Sequence, residues 1–212
     1  FLGGGISGMT AALDLADMGF PVYLVEREGE LGGNLRNITQ LPDGRNPAEI
    51  YEPLIERVKN HPNITLYLNS KLVEVKGFIG NFEGKIETPE GEKKVEFGAA
   101  IVATGAKELV PKGYYRYGEQ DNVITQMELE KRLPAGINAK SVVMIQCVGA
   151  RCPERTYCSR TCCMEALKNA IRIKEESPDT QVYIIYRDIR SYGFMEELYQ
   201  RARELGVVFI KY

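Results

Sequence analysis

The chain opens Phe1-Leu2-Gly3-Gly4-Gly5-Ile6-Ser7-Gly8, and the G-x-G-x-x-G spacing of Gly3, Gly5 and Gly8 constrains its fold more than any other stretch. Apolar residues recur at helical spacing from Ile6 to Met18 and Gly19 is the natural stop, so the segment predicts a strand, a tight turn and a helix. In such a unit Gly3 makes the turn, Gly5 lets the backbone approach a pyrophosphate, and Gly8 lets the helix lie close on the strand. Phosphates then meet free N–H groups at a positive helix end. Val22-Tyr23-Leu24-Val25 reads as the next strand, and Glu26 at its carboxyl end stands where an acceptor for a ribose diol is required. Leu31-Gly32-Gly33 lies just beyond, and Ala99-Ala100-Ile101-Val102-Ala103-Thr104-Gly105 reads as a buried strand ending in small residues.

With 27 basic against 29 acidic side chains the net charge is −2, which advertises neither a nucleic-acid groove nor an anionic membrane surface. No apolar run approaches the ~18 residues of a spanning helix and no signal-peptide series is visible, so no membrane span and a cytoplasmic protein are expected. A complete nucleotide-binding domain would show four or five apolar residues before its glycine turn, and Phe209-Ile210-Lys211-Tyr212 reads as a strand in progress. The expectation is a piece of a longer protein. A helix is predicted over about Pro47 to Asn60. Ile64–Leu68, Lys71–Val75, Phe82–Thr88 and Lys93–Phe97 read as strands of a sheet-rich insertion, with a hairpin turn at Pro89-Glu90-Gly91-Glu92. His61, the one histidine, sits in a polar loop beside Pro62 and reads as structural.

From Lys107 to Lys140 the chain is rich in proline, glycine and tyrosine and reads as a connector, with a short helix at Gln126–Leu133. Then follow a strand Ser141–Gln146, a helix from about Ser159 to Glu176, a strand Gln181–Tyr186, a helix Phe194–Leu205 and a strand Val207–Tyr212. This βαβαβ order predicts parallel strands with right-handed crossovers. No second G-x-G-x-x-G occurs, which argues against a nicotinamide dinucleotide here. All five cysteines, Cys147, Cys152, Cys158, Cys162 and Cys163, fall within residues 147–163. Such clustering marks a site, and an odd count argues against a disulfide framework. Cys158 and Cys162 are expected on one face at a helix start, with Cys163 beside them and Cys147 arriving from a strand end, so that thiols converge on one point. Arg151, Arg155 and Arg160 favour thiolates. Zinc and iron–sulfur both accept four thiolates. Adjacent side chains on a helix diverge by ~100°, which favours two irons of a cubane over two corners of one zinc; a bare redox thiol set stays as an alternative.

The glycine fingerprint, Glu26, Leu31-Gly32-Gly33 and the Ala103-Thr104-Gly105 turn together resemble the FAD-binding domain of the two-dinucleotide-domain flavoprotein reductases. Cys147-Val148-Gly149-Ala150-Arg151, Tyr157-Cys158-Ser159-Arg160-Thr161-Cys162-Cys163, Tyr186-Arg187-Asp188-Ile189-Arg190-Ser191-Tyr192-Gly193 and Gly80-Asn81-Phe82 narrow this. They resemble the FAD-carrying iron–sulfur subunit of heterodisulfide reductase and its bacterial relatives, and the likeness runs over essentially the whole chain. It implies an α/β fold: a Rossmann-like FAD-binding domain with a β-rich insertion over 1–108, a connector over 109–138 and a partial second βαβαβ domain over 139–212. It also implies an FAD-bearing, iron–sulfur electron-transfer oxidoreductase. Gly3, Gly5, Ile6, Ser7, Gly8, Glu26, Arg27, Gly32, Gly33, Asn34, Ala103, Thr104 and Gly105 would contact FAD. Cys147, Cys158, Cys162 and Cys163 would ligate one [4Fe–4S] cluster, leaving Cys152 outside the set. The implied partners are the other subunits of such a complex and an electron-donor protein. Two other readings stand beside it: a pyridine-nucleotide-disulfide-type reductase using a vicinal cysteine pair, and a zinc-stabilised docking scaffold.

Overall fold

The structure is a computed structural model that describes all of residues 1–212, and it divides into two units: 1–38 with 46–107, and 39–45 with 108–212. In the first, helix α1 (Ile6–Asp17) buries Met9, Ala12, Leu13 and Ala16, the i, i+3, i+4, i+7 face that the apolar pattern demands. That face packs on Val22 and Leu24 of strand β1 (Val22–Val25) and on Val58 of helix α2 (Ala48–Asn60). Each large side chain so buried contributes about 1.5–3 kcal/mol. Strand β2 (Ile64–Tyr67) pairs parallel with β1, and α2 is the crossover that a parallel pair requires. Ile64–Tyr67 therefore belongs to the nucleotide-type sheet and not to the insertion expected from sequence.

Leu2 bridges in parallel to both Val25 and Val102, so the first residues lie between β1 and the 101–103 segment and deliver Gly3 to the carboxyl edge of the sheet. The buried strand expected over Ala99–Gly105 is reduced to that one bridge, because only Leu2 lies alongside it; Val102 is 68% exposed. The insertion is a three-stranded antiparallel sheet of β3 (Lys71–Phe78), β4 (Asn81–Thr88) and β5 (Gly91–Phe97). Its inner residues Ile86 and Val95 pack with Val25, and the Phe82 and Phe97 rings meet at 5.5 Å.

In the second unit, helix α3 (Gln126–Arg132) begins at a capping box in which Thr125 and Glu128 satisfy each other's backbone N–H groups. Strands β6 (Ser141–Ile145), β7 (Gln181–Tyr186) and β8 (Val208–Lys211) form a parallel sheet in that order. Helices α4 (Cys162–Glu176) and α5 (Glu196–Glu204) connect them. Ala166, Leu167, Ala170 and Ile173 of α4 pack with Leu129, Leu133, Met144, Val182, Ile184 and Ala202 in one core. Inside it Lys168 is ion-paired with fully buried Glu130 and with Glu165 at 2.9 Å, while the Thr39 N–H and hydroxyl each donate to Glu130 at 2.9 Å. Every charge in this cluster has a partner, as burial requires.

Candidate functional site

Two sites emerge, one in each unit. In the first, Gly5 is the N-cap of α1 and no side chain caps the helix, so the first-turn amides of Ile6, Ser7 and Gly8 are left for another acceptor. Gly3 has φ 105, and a Cβ there would lie 2.3 Å from the Ala103 carbonyl oxygen. A Cβ on Gly8 would lie 1.9 Å from the Gly3 oxygen, which is the close helix–strand contact expected of the third glycine. Over Gly5, by contrast, the space is open: a Cβ would find nothing nearer than the Gly33 Cα at 4.0 Å. Gly32 donates its N–H to the Gly4 oxygen at 2.8 Å, which lays the Gly32-Gly33 backbone against the loop. The Asn34 side-chain amide donates to the Ala106 oxygen at 2.8 Å and ties that turn to the segment carrying Ala103, Thr104 and Gly105.

Glu26 reaches into the same loop. Its two carboxylate oxygens accept the Gly4 N–H at 2.6 Å and the Glu28 N–H at 2.8 Å, and the residue is 8% exposed. Each oxygen keeps a lone pair for a second donor. Arg27 pairs with Glu28 at 3.1 Å on the surface. His61 is structural: Nε2 lies 3.1 Å from Asp17 and Nδ1 accepts the Asn63 N–H at 3.1 Å.

The second site lies beyond the carboxyl end of β6. Cys147 turns the chain with φ 61, and Arg151 and Arg160 are also left-handed, at φ 56 and 63. The Arg160 turn delays the helix to Cys162, so Cys158 lies in the loop and not on the helix face expected from its spacing. Cys162 and Cys163 occupy the first two helical positions, where unpaired N–H groups and the dipole favour thiolate. The Cys162 sulfur accepts from the Cys163 thiol, the Cys147 N–H and the Ser159 hydroxyl; led by Cys163, these hold its pKa down to about 6 against burial. The same pairing, with burial, pushes Cys163 up, and its proton has a second acceptor in the Asp188 oxygen at 3.6 Å. Burial pushes Cys147 up, and the charges of Cys162 and Cys158 add to this while Arg151 opposes it. The Cys158 sulfur accepts the Arg160 N–H at 3.3 Å.

Cys147, Cys158, Cys162 and Cys163 are thus neighbours, yet no three histidine, cysteine or carboxylate groups close in on a common point that would chelate one ion. The convergence expected from the helix spacing is looser than that, because Cys158 is off the helix. All five thiols are free. Cys152 stands apart in a small turn with Arg155, and its thiol donates to Glu154. Of the arginines expected beside the thiols, Arg155 instead donates to the Gly149 oxygen at 3.0 Å. Sequence reasoning missed the partner of Arg151: its Nη1 lies 2.8 Å from Asp188 Oδ2, just past β7. Arg187, beside Asp188, also reaches the cysteine loop and donates to the Arg151 oxygen at 2.6 Å.

A strand–glycine turn–helix whose next strand ends in an acid is the arrangement of a dinucleotide fold, and residues 1–149 match the description "Pyridine nucleotide-disulphide oxidoreductase". The chain belongs to this oxidoreductase family. Within that setting it is similar over 99% of its length to a CoB–CoM heterodisulfide reductase iron-sulfur subunit of Methanopyrus kandleri, at 33% identity and covering 46% of that protein. The corresponding iron-sulfur subunit of the Methanocaldococcus jannaschii reductase matches at 34% identity, again over 99% of this chain and 47% of the other. The chain spans about half the length of these curated relatives. Among solved structures, the bacillithiol disulfide reductase of Bacillus cereus shares the fold of this pyridine nucleotide-disulphide oxidoreductase family member, with TM-score 0.56, 15% identity, 98% of this chain and 65% of that one. No helix is long and apolar enough to cross a membrane.

Proposed function

We propose that this chain is the flavin- and cluster-bearing part of an electron-transfer oxidoreductase like the heterodisulfide reductase iron-sulfur subunits, with FAD in the first unit and one [4Fe–4S] cluster in the second. The observation that carries the reading is the donor set: Cys147 just after β6, Cys158 in the loop that follows, and Cys162 and Cys163 in the first turn of α4, with Cys152 in a separate small turn with Arg155. Cys162 and Cys163 diverge by ~100° on the helix, which suits separate irons better than one zinc at ~2.3 Å. The glycine loop fits a dinucleotide for an independent reason, the open space over Gly5 and the uncapped amides of α1.

In this reading Gly3, Gly5, Ile6, Ser7 and Gly8 present backbone to the pyrophosphate, and Glu26 accepts from the adenosine ribose. Gly32, Gly33 and Asn34, with Ala103, Thr104 and Gly105, wall the nucleotide site, and Arg27 lies at its solvent edge. Cys147, Cys158, Cys162 and Cys163 hold the cluster. When bound, FAD exchanges two electrons or one at a time while a cluster carries one, so the pair can relay between two-electron and one-electron partners. The protein's part is to bury Cys163, half-bury the other three sulfurs and supply them N–H donors, as Arg160 does for Cys158. Partner subunits and an electron-donor protein complete the proposal, with the cytoplasm as its compartment.

Anaerobic reconstitution followed by iron, sulfide and flavin counts tests it. Four irons and four sulfides per chain are expected, falling sharply when Cys147, Cys158, Cys162 or Cys163 is changed to Ser and holding in Cys152→Ser. Zinc in place of iron would overturn the cluster, and flavin with no metal would favour a redox thiol pair at Cys162-Cys163.

A further inference from the structure

The Gly32-Gly33 turn, which lies against the glycine loop, carries an arginine on its backbone. Gly32 has φ 108, and a Cβ there would lie 2.8 Å from both Cγ and Cδ of Arg36, so the arginine stem runs directly over the Gly32 α-carbon. Glycine is required at 32 twice over, for its dihedral angle and for the room that this stem takes. Gly32 itself donates to the Gly4 oxygen at 2.8 Å, and a Cβ on Gly33 would lie 3.0 Å from the Gly5 α-carbon. The stem of Arg36 therefore starts on backbone that touches the loop, where the short 3-10 helix Gly33–Asn37 places it.

The charges around the loop give this position a consequence. A pyrophosphate is an anion, yet residues 1–17 and 99–106 contain no lysine or arginine, and Glu26 already brings a carboxylate to the Gly4 N–H. Arg27 and Arg36 are the two basic side chains in residues 1–38. Arg27 is taken by Glu28. Arg36 is paired with Glu30, in a pair whose side chains are 41% and 65% exposed, and an ion pair so exposed to water is held weakly enough to be exchanged. A guanidinium fork matches phosphate oxygens in pairs, which a carboxylate partner of this exposure cannot rival.

We infer that Arg36 is the cation of the nucleotide site, exchanging Glu30 for the pyrophosphate when the ligand binds, and that Glu30 is the acid that competes for it. The assignment rests on the FAD reading and deepens it, by naming the side chain that answers the charge of the ligand while the α1 amides answer its oxygens.

The test titrates the full chain with FAD, followed by flavin fluorescence, as wild type, Arg36→Met and Glu30→Gln, and measures thermal unfolding of each without flavin. Arg36→Met keeps a stem over Gly32 and loses the charged donor, so FAD should bind at least about tenfold more weakly, with unfolding unchanged. Its affinity should also depend less steeply on salt than that of wild type. Glu30→Gln frees Arg36 and should leave FAD binding as tight as in wild type or tighter by up to about fivefold, the most that an exposed ion pair withholds. A pair that only braced the turn would give both variants the same loss, so equal weakening in the two would assign Arg36 a structural role and overturn the inference. Wild-type affinity in Arg36→Met would overturn it as well and leave the nucleotide site standing. A wild-type chain that takes up no FAD would refute the nucleotide reading first, and this inference with it.

Discussion

Gly5→Ala and Gly8→Ala are the same chemical change three residues apart, and the structure separates them. At Gly8 the new methyl would sit 1.9 Å from the Gly3 oxygen, with the Ala103 Cβ at 3.5 Å, so α1 must move off the first strand by more than 1 Å. Overpacking against backbone costs about 3 kcal/mol, and the better helix propensity of alanine returns about 1 kcal/mol. A net loss of about 2 kcal/mol lowers the melting temperature by roughly 4–8 °C in a chain of this size. At Gly5, φ −76 and ψ −177 are ordinary for alanine and the nearest atom is 4.0 Å away. The reduced freedom of the unfolded chain and the poorer N-cap nearly cancel, leaving a change under about 1 kcal/mol. That methyl does occupy the space over the α1 amides where a pyrophosphate would lie, so Gly5→Ala should weaken FAD binding at least about tenfold. Thermal unfolding by circular dichroism and flavin-fluorescence titration measure the two quantities. The argument collapses if Gly5→Ala binds FAD as wild type does, or if it melts as low as Gly8→Ala.

Lys168→Met leaves Glu130 fully buried without its cation and should cost about 3–5 kcal/mol in urea unfolding, with Glu130→Met added to it recovering most of the loss. Thr125→Ala removes the N-cap of α3 and should cost about 1 kcal/mol by the same assay. The Thr125 N–H, aided by the Tyr117 hydroxyl, holds the Glu128 carboxyl below its ordinary 4.5 despite burial. Its contribution is therefore complete above pH 4.5 and is lost as the pH falls through the lowered value, so Glu128→Gln should flatten the acid limb of a stability–pH curve. Glu26→Gln should both destabilise the first unit, because the Gly4 and Glu28 amides lose a charged acceptor, and weaken FAD binding; unchanged affinity would remove Glu26 from the nucleotide site.

What could be read from sequence was periodic or tied to a backbone requirement. The face of α1, the parallel order of β6, β7 and β8, and the roles of Gly3 and Gly8 all follow from spacing, because a helix or a tight turn leaves few alternatives. Ile64–Tyr67 was harder to place, since a short apolar run looks the same in a parallel sheet as in an antiparallel one, and only pairing with β1 decides. The cysteine loop shows where such reading stops. Helical spacing of Cys158 and Cys162 suggested one shared face, but a left-handed Arg160 interrupts the helix, and nothing in local propensity announces a left-handed arginine. Nor could spacing reveal that Asp188, far along the chain, would meet Arg151, because parallel pairing of β6 with β7 is what brings their two ends together. Sites at the carboxyl ends of parallel strands are built from segments distant in sequence, so the residues that bear the chemistry can be found by type and clustering while those that tune it become visible only once the sheet is assembled.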